Sequence, residues 1–356
     1  MRIVIFGLTV SSSWGNGHAT LWRSLIRALD AAGHQVIFYE RDVRYYASHR
    51  DLPALHGRAR LRLYGTWDDI AAEAAREIAS ADCAIVTSYC PDGRAASAAV
   101  LDASRATRVF YDLDTPVTLA QLSAGRDVPY LPEAGLGDFD LVLSFTGGRA
   151  LHELRDRLGA RRVAPLYGSV DPDHHKPVPA DPQWSAACSY LGTWSDDRQA
   201  ALEALFLEPA RRHHDRTFVL AGSQYPAEVA WPANVIRHGH VPPPAHPAFY
   251  CSSPITINVT RGPMAELGYC PSGRLFEAAA CGVPVLSDTW EGLETFFVVG
   301  DEILTASTTA DAIAVLELPR ADLAAVGKRA RERALAEHSG TRRAAELIAH
   351  IEGAVP

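Results

Sequence analysis

The chain has 356 residues, a length at which two domains are the starting expectation. Its hydrophobic fraction of 47% and charged fraction of 21% are typical of a globular protein. A net charge of −8 argues against a nucleic-acid partner, because such partners normally need a broad basic surface. Six cysteines without C-x-x-C or zinc-ligand spacing predict a reducing, cytoplasmic location, and no segment is long and apolar enough to span a membrane.

In the first half of the chain, short apolar runs rich in β-branched and aromatic residues alternate with segments of helical periodicity. Alternation of this kind predicts βαβ units and a parallel sheet covered by helices on both faces. The predicted strands are Ile3–Leu8, Val36–Tyr39, Ala84–Thr87, Val109–Tyr111 and Leu141–Phe145.

The same alternation starts again after a stretch that carries four prolines and little apolar periodicity. Its predicted strands are Tyr190–Leu191, Phe218–Ala221, Ile255–Val259 and Val285–Leu286, and its predicted helices are Gln199–Leu207 and Arg274–Cys281. Residues 321–351 form a helical segment with a break near 338–340. We therefore predict an α/β protein of two doubly wound, Rossmann-like domains that face each other across a cleft, joined by a linker over 171–184.

The loop after the first strand carries two glycines and a histidine at the start of a helix. Ligands of open α/β sheets bind at the carboxyl ends of the strands, so this loop is a candidate site. Gly15 and Gly17 allow the backbone to approach a ligand closely, and Asn16 can cap the helix. His18 can take a proton from an acceptor hydroxyl. The alternative is a tight turn whose histidine bonds the neighbouring loop. A third glycine at dinucleotide-binding spacing is absent, which disfavours a nicotinamide-dependent oxidoreductase.

Two aspartates follow the strand that ends at Tyr111. Asp112 and Asp114 can orient a sugar hydroxyl, support His18 or act as a base. The alternative is turn formation ahead of a proline, a common use of aspartate.

A second candidate site follows the first strand of the second half, which is predicted to end at Gly192-Thr193. Ser195 can cap the next helix, and Arg198 lies in its first turn. Free amides at a helix start together with a guanidinium predict an anion site suited to a diphosphate. The alternative is an exposed ion pair between Arg198 and one of the two aspartates before it.

The most specific motif is the short helix between Ser272 and Gly282, which the serine can cap and the glycine ends. Glu277 is an acid embedded in an otherwise apolar helix, so its burial requires a partner. Vicinal ribose hydroxyls suit this carboxylate, whereas the structural alternative is a salt bridge to Arg274 or Arg261. Both arginines are also predicted to bind the substrate.

Two further loops are predicted to contact the same ligand. After the last predicted strand, a helix is expected to begin, and its first backbone amides can bind phosphate. Its residues are Trp290, Glu291, Gly292 and Leu293. The loop over 237–241 is expected to read a nucleotide base through backbone groups, by analogy with the fold. Its candidate residues are His240 and Val241.

The segments RLFEAAACGVPVLSDTWEGLETFF, YLGTWSDDRQAALEALFLEPARR and LAGSQYP, together with SSSWGNGHATLWRSLIRALDAAGHQVIFYERD, cover much of both halves. With them the chain resembles the CgeB-like (spore-maturation type) glycosyltransferases, which belong to the group 1 set with the GT-B fold. The resemblance implies an acceptor-binding domain over 1–170, a nucleotide-sugar donor domain over 185–337, and a C-terminal helix over 338–356 that crosses back to the first domain.

Position by position, Glu277 matches the glutamate that holds the donor ribose in that family. Arg198 matches the basic residue near the diphosphate, and Ser272 and Arg274 match the segment that leads into the donor site. The chain departs at Tyr269, where many retaining group 1 enzymes carry a second glutamate eight residues before the first. An inverting reaction requires a base such as His18, whereas in a retaining reaction His18 only positions the acceptor.

The sequence therefore predicts a glycosyltransferase, specifically a hexosyltransferase, which moves a sugar from a nucleoside-diphosphate sugar to a hydroxyl of a small molecule or glycan. The prediction includes no metal and no cofactor beyond the nucleotide sugar, because arginines and helix-start amides can stabilise the leaving diphosphate. The alternatives are a nucleotide-sugar epimerase of the same fold and a donor-binding protein without transfer activity. The residues leave the donor base, the acceptor and the oligomeric state open.

Overall fold

The computed structural model describes residues 1–354, which divide into two compact units. The N-terminal unit comprises Met1–Tyr167 together with the segment that begins at Gly340. The C-terminal unit comprises Gly168–Ser339. Each unit is built on one sheet of parallel strands, as the predicted α/β class requires.

The N-terminal unit alternates strands and helices from its first residues. Its elements in chain order are β1 (Arg2–Gly7), α1 (His18–Ala31), β2 (Gln35–Arg41), α2 (Arg44–Ala47), β3 (Arg60–Tyr64), α3 (Trp67–Ala79), β4 (Cys83–Thr87), α4 (Gly93–Leu101), β5 (Thr107–Asp112), α5 (Thr115–Ser123), β6 (Leu141–Ser144), α6 (Arg149–Leu158) and β7 (Val163–Pro165).

Its seven strands lie in the order β3-β2-β1-β4-β5-β6-β7. The chain winds outward from β1 in one direction and then, from β4, in the other, so the carboxyl ends of β1 and β4 border the switch point where such sheets bind ligands. Ile3–Phe6 of β1 are fully buried, because one apolar cluster covers each face of the sheet. This double burial explains why the central strands are continuously apolar.

The C-terminal unit repeats the pattern with a second sheet. Its elements in chain order are β8 (Cys188–Leu191), α7 (Gln199–Leu202), α8 (Glu208–Arg212), β9 (Phe218–Ala221), β10 (Val235–His238), α9 (His246–Cys251), β11 (Thr256–Asn258), α10 (Gly262–Leu267), α11 (Gly273–Ala280), β12 (Val285–Ser287), β13 (Leu304–Thr305), α12 (Thr309–Leu316) and α13 (Arg320–Glu337). Its six strands lie in the order β10-β9-β8-β11-β12-β13.

The C-terminal helical segment is divided as predicted. α13 ends at Glu337, and the final helix, α14 (Gly340–Glu352), begins after His338 and Ser339. α14 belongs to the N-terminal unit, where Ala344, Leu347 and Ile351 are buried in the same apolar cluster as the inner face of α1. Among the helices of residues 1–354, none combines the length and the apolar character that a membrane crossing needs.

The predicted helix over Gln199–Leu207 differs from the observed one. α7 covers only Gln199–Leu202, and Glu203–Leu207 is a π-helical turn that continues into α8. Pro209 lies at the start of α8 and lacks an amide hydrogen. The wider turn before it explains how the helical run continues to Arg212 despite the proline.

Candidate functional site

The loop after β1 is held by a buried carboxylate at the end of β2. Glu40 Oε2 accepts the backbone amides of Val10 and Ser11 at 2.7 and 2.9 Å, and its Oε1 accepts the hydroxyls of Thr9 and Ser11 at 3.0 and 2.5 Å. Glu40 is only 1% exposed, so these hydrogen bonds replace the water that the charge would otherwise require. The loop that leads to α1 is therefore fixed from beneath. Glu40 is not among the site residues predicted from the sequence.

The glycine loop then turns directly into α1. Gly15 has a φ of +66°, a conformation that favours glycine, and Gly17 immediately precedes the helix. Asn16 Oδ1 accepts the backbone amide of Ala19 at 3.2 Å. The predicted capping role of Asn16 is confirmed, because this bond satisfies one of the free amides at the helix start.

His18 and Asp114 come together at the carboxyl edge of the N-terminal sheet. His18 is the first residue of α1, Asp114 immediately precedes α5, and His18 Nε2 lies 3.2 Å from Asp114 Oδ2. The two side chains are 12% and 23% exposed. His18 Nδ1 is shielded from solvent and has no hydrogen-bond partner among the described residues. A carboxylate that accepts one ring NH leaves the other nitrogen able to accept a proton.

Asp112 lies behind this pair at the end of β5 and is fully buried. Its Oδ1 accepts the backbone amide of Asp114 at 3.1 Å, which fixes the turn that carries Asp114. Burial raises the pKa of Asp112 to about 6, against hydrogen bonds that lower it. The structure thus gives Asp112 a position from which it supports Asp114.

Tyr89 is a third residue at this edge, two positions after β4. Its φ of +61° is unusual for a residue with a large side chain, so the neighbouring structure must hold it there. Its ring meets that of His18 edge-on at 5.7 Å between centroids and lies 5.0 Å from that of Tyr130. Tyr89 therefore forms an aromatic wall beside the His18–Asp114 pair.

In the C-terminal unit, two arginines meet around Tyr190 of β8. Arg198 Nη1 donates to the Thr193 carbonyl at 3.0 Å, and Arg274 lies over the Tyr190 ring at 5.6 Å from the centroid. Burial lowers the pKa of Arg198, and the positive charge of Arg274 lowers it further. Two guanidiniums in one place repel each other unless an anion lies between them.

Neither arginine has a carboxylate partner among residues 1–354. The predicted alternative, an ion pair between Arg198 and a preceding aspartate, is wrong, because Asp197 pairs with Arg261 at 3.1 Å. Arg274 Nη1 donates instead to the Oδ1 of the buried Asn258 at 3.0 Å. Asn258 Nδ2 donates in turn to Ser287 at 3.0 Å, so neutral groups hold Arg274 in place. The arrangement is that of an anion site.

Gly192 makes room for this arrangement. A Cβ atom at Gly192 would lie 2.4 Å from the Tyr190 hydroxyl, which is closer than non-bonded atoms approach. The residue directly after β8 must therefore be glycine for the Tyr190 ring to stay beneath Arg274.

Glu277 on α11 is held by residues that the sequence analysis did not name. Its Oε2 accepts the Tyr250 hydroxyl at 3.1 Å and lies 3.5 Å from His246 Nδ1. The predicted alternative of a salt bridge to Arg274 or Arg261 is wrong, since those side chains bond Asn258 and Asp197.

The surroundings of Glu277 keep its carboxyl group ionised. Burial raises the pKa of the carboxyl, but the nearby His246 and His175 and the hydrogen bond from Tyr250 outweigh it and hold the pKa well below its usual range. The side chain stays 13% exposed, so a ligand can still reach the carboxylate. The site therefore presents an anionic hydrogen-bond acceptor at neutral pH.

His175 completes this cluster from the segment that enters the C-terminal unit. It is 6% exposed, and neither ring nitrogen has a hydrogen-bond partner among the described residues. Burial lowers the pKa of His175 to about 4, so the ring is neutral near pH 7. One ligand atom from each of His175, His246 and Glu277 lies within 4.8 Å of the others.

Two predicted serine caps are wrong in detail. Ser272 occupies the position before α11, but only its carbonyl takes part, by accepting the Leu275 amide at 3.0 Å. Ser195 also precedes a helical turn without capping it, because its hydroxyl donates to Asp197 at 2.8 Å. Both serines are neighbours of the anion site but do not close the helix ends.

The predicted helix after β12 is a three-residue 3₁₀ turn, Leu293–Thr295. Trp290 is 5% exposed and its carbonyl accepts the Leu293 amide at 3.3 Å, so that amide does not point to a ligand. Gly292 has a φ of +91°, and the Glu291 carbonyl accepts the Tyr269 amide at 2.6 Å. The loop after β12 therefore does not begin a long helix with free amides, as the phosphate contact predicted there would require.

The loop after β10 approaches the Glu277 cluster through one backbone carbonyl. His246 Nε2 lies 3.2 Å from the carbonyl oxygen of Val241, which is 2% exposed. His240 is partly buried in the same loop. The Val241 carbonyl thus orients the histidine beside Glu277, a role that the sequence analysis did not foresee.

Residues 198–349 match the family model described as glycosyl transferase-like. No curated protein matches the chain. Among solved structures, sucrose-phosphate synthase from Thermosynechococcus elongatus is 16% identical, with a TM-score of 0.67 over 99% of this chain and 100% of that one. HepE from Anabaena, in complex with UDP-glucose, is 13% identical, with a TM-score of 0.65 over 99% and 100% of the two chains. AviGT4, a glycosyltransferase of avilamycin A biosynthesis, is 16% identical, with a TM-score of 0.61 over 99% and 96%.

The likeness to these structures extends over both units of the chain, so the predicted GT-B architecture is confirmed. The prediction of a glycosyltransferase is confirmed by the family match, which begins at Arg198 and contains Arg274 and Glu277. The CgeB-like subtype remains a prediction from the sequence motifs. The whole chain thus has the GT-B fold, and residues 198–349 match a glycosyl transferase-like family.

Proposed function

We propose that the protein transfers a glycosyl group from a nucleoside-diphosphate sugar to an acceptor hydroxyl. The observation that carries this proposal is the pair Arg198 and Arg274, which share the surroundings of Tyr190 without a carboxylate partner in the described part of the chain. A diphosphate supplies the negative charge that the pair lacks, and guanidiniums bind phosphate oxygens through two parallel hydrogen bonds.

The donor nucleotide is held at its other end by Glu277. Its carboxylate is ionised and partly exposed, and ribose hydroxyls are donors of the kind that it accepts. Tyr250 fixes the carboxylate from the protein side, which lowers the cost of ordering it when the donor binds. The nucleotide bound in the HepE structure makes UDP-glucose the first donor to test.

Transfer proceeds without a metal ion in this proposal. The leaving diphosphate gains negative charge as the glycosidic bond breaks, and Arg198 and Arg274 stabilise that charge. Such preorganised positive groups replace the divalent cation that other transferases use for the same purpose. Full activity in excess EDTA supports this part of the proposal, and loss of activity that Mg²⁺ or Mn²⁺ restores contradicts it.

The acceptor hydroxyl is the partner of His18. Asp114 accepts the Nε2 hydrogen, so the lone pair lies on Nδ1. Because Nδ1 is shielded from solvent in the structure, this role requires a movement that opens Nδ1 to the acceptor. In an inverting reaction Nδ1 takes the proton and Asp114 stabilises the imidazolium, whereas in a retaining reaction the pair positions the acceptor. The anomeric configuration of the product, read by NMR, distinguishes the two.

The CgeB-like subtype is part of the proposal. Tyr269 at the position of the second glutamate of retaining group 1 enzymes supports a separate subtype. The Tyr269 ring packs against the backbone of Gly292, a ring contact that a glutamate at this position cannot make.

The test is a thermal-shift screen of nucleotides and nucleotide sugars, because a ligand that binds only the native state raises its apparent stability. We expect a nucleoside diphosphate such as UDP to stabilise the protein. We also expect slow release of free sugar from the matching nucleotide sugar when no acceptor is present. Formation of an epimeric nucleotide sugar would identify an epimerase. Strong donor binding with no hydrolysis, and with no transfer across a broad acceptor panel, would identify a binding protein.

A further inference from the structure

The strongest unassigned feature is the cluster of His175, His246 and Glu277 in the C-terminal unit. One nitrogen from each histidine and one carboxylate oxygen lie within 4.8 Å of one another. Two imidazoles and one carboxylate are a common ligand set for Zn²⁺ and related divalent ions, and imidazole ligands disfavour Mg²⁺ and Ca²⁺.

The hydrogen bonds around His246 leave a ligand atom turned toward Glu277. His246 Nε2 lies 3.2 Å from the Val241 carbonyl, which can only accept, so Nε2 carries a hydrogen. In a neutral ring the lone pair then sits on Nδ1, which faces Glu277 Oε2 at 3.5 Å. Two acceptors face each other in this arrangement, and a cation between them removes the repulsion.

His175 supplies the third ligand. Its ring is buried, and neither nitrogen has a hydrogen-bond partner among residues 1–354. A buried polar group without a partner destabilises the fold, so its retention needs an explanation. A metal ion at the cluster provides a partner for one nitrogen.

The outer contacts match those of a metal site as well. Metal-bound histidines usually donate their second ring NH to a carbonyl or carboxylate, and metal-bound carboxylates accept further hydrogen bonds. The Val241 carbonyl serves His246 in this way, and the Tyr250 hydroxyl serves Glu277 at 3.1 Å. Ligand atoms around one Zn²⁺ at about 2 Å are about 3.3 Å apart, so the side chains need only small movements inward.

We propose that His175, His246 and Glu277 bind one Zn²⁺-class ion, and that this ion prevents Glu277 from binding the nucleotide. The second part rests on the proposed function, because it assumes that Glu277 accepts the donor hydroxyls. The metal-free protein is then the active transferase, and zinc is an inhibitor that acts at the donor site.

The first experiment measures metal binding alone. Protein stripped with EDTA and dialysed is titrated with Zn²⁺ by calorimetry, and Co²⁺ is added to a second sample for its visible absorption. We expect one tight site per chain and a Co²⁺ spectrum with the intensity of a four-coordinate ion. Failure of the wild type to bind either ion overturns the proposal and leaves a proton between His246 and Glu277.

Two variants and a matched control locate the site. His175→Phe and His246→Gln each remove one ligand, and we expect the affinity for Zn²⁺ to fall by at least about 100-fold, since even supporting residues contribute 10- to 100-fold. His152→Ala, an exposed histidine on α6 of the other unit, should change nothing. Near-UV circular dichroism in EDTA verifies that the variants are folded. Unchanged affinity in both folded variants places the ion elsewhere and overturns the assignment.

The second experiment tests competition with UDP as the probe. Free Zn²⁺ is held by a metal buffer below the concentration at which UDP itself binds zinc. We expect the apparent Kd of UDP to rise with zinc occupancy in the wild type and to stay constant in His175→Phe. An unchanged Kd in zinc-loaded wild type overturns the competition. If UDP fails to bind even the metal-free wild type while zinc binds, the proposed function fails and the metal site stands.

Discussion

His18 Nε2 and Asp114 Oδ2 lie 3.2 Å apart although 95 residues separate them in the chain. The contact exists because β1 and β5 both flank β4 in the parallel sheet, and because each is followed at its carboxyl end by a short loop into a helix. Asp112 fixes the Asp114 turn through its backbone amide, and Glu40 fixes the loop that leads to α1. Both members of the pair are thus preorganised by buried carboxylates.

We predict that His18→Ala and Asp114→Asn reduce the transfer rate while donor binding is unchanged. A positioned base typically contributes 10²- to 10⁴-fold, so we expect a loss of about that size in kcat for His18→Ala. Steady-state kinetics with UDP-glucose and calorimetry with UDP measure the two quantities. Thr20→Ala on the same helix is the control and should retain activity. Normal transfer in His18→Ala would remove the histidine from the mechanism.

The raised pKa of Asp112 predicts that the stability of the wild type relative to Asp112→Asn depends on pH. Its pKa is raised from 3.8 in the unfolded chain to about 6 in the folded protein. At a pH between these values, Asp112 is ionised in the unfolded chain and still protonated in the folded protein. Stability therefore falls as the pH rises through this window, by about 3 kcal/mol for two pKa units. Asp112→Asn cannot ionise and keeps an oxygen for the Asp114 amide.

The free energy of unfolding of Asp112→Asn should therefore equal that of the wild type near pH 3 and exceed it by up to about 3 kcal/mol at pH 7 to 8. Urea unfolding at a series of pH values measures the difference between the two proteins, which removes the contributions of other groups. A difference that does not change with pH would show that Asp112 does not ionise in this range.

The sequence predicts the central strands of both sheets and misses the outer ones. Strands buried on both faces are continuous apolar runs, which is why β1, β4 and β5 are recognisable. The four strands that were not predicted, β3, β7, β10 and β13, are the edge strands of the two sheets. Edge strands are short or carry charged and proline residues, as in Arg60–Tyr64 and Val163–Pro165, so their composition resembles that of loops.

Site residues could be predicted where their position directly after a strand places them at the ligand-binding edge of the sheet. His18, Asp114 and Arg198 follow strands, and the carboxyl ends of parallel strands share one edge of the sheet. The partners of Glu277 were not predictable, because His175 and Tyr250 reach it only through tertiary packing. The two false serine caps show the same limit, since Ser195 and Ser272 fit the local pattern but bond elsewhere or not at all.

We predict the largest losses of nucleotide affinity for Arg198 and Arg274, which have no carboxylate partner among the residues that the structure describes. A hydrogen bond to a charged group is worth about 1.5–3 kcal/mol, so Arg198→Ala and Arg274→Ala should each weaken UDP binding by about 10- to 100-fold. Isothermal titration calorimetry measures the change. Arg212→Ala, an arginine of α8 that pairs with Glu208 at 2.9 Å, is the matched control and should bind UDP normally. Unchanged affinity in both site variants would move the anion site elsewhere.

Gly292 and Gly300 form a matched pair that tests the packing of the loop after β12. Both have left-handed φ values, +91° and +85°, so alanine is strained at either position. A Cβ at Gly292 would also lie 2.5 Å from the Tyr269 ring, whereas a Cβ at Gly300 meets nothing within 4 Å. Gly300→Ala should therefore cost about 1 kcal/mol, and Gly292→Ala about 1–3 kcal/mol more, because the ring must move.

The movement should also affect the 290–293 loop, which is predicted to contact the donor, since a backbone hydrogen bond joins Tyr269 to Glu291. We expect Gly292→Ala to weaken UDP binding and Gly300→Ala to leave it unchanged, measured by calorimetry on folded protein. Gly292→Ala combined with Tyr269→Ala removes the clash and should recover part of the lost stability, because the two substitutions act on one contact. Equal destabilisation by the two single alanine variants would mean that the ring does not pack against Gly292.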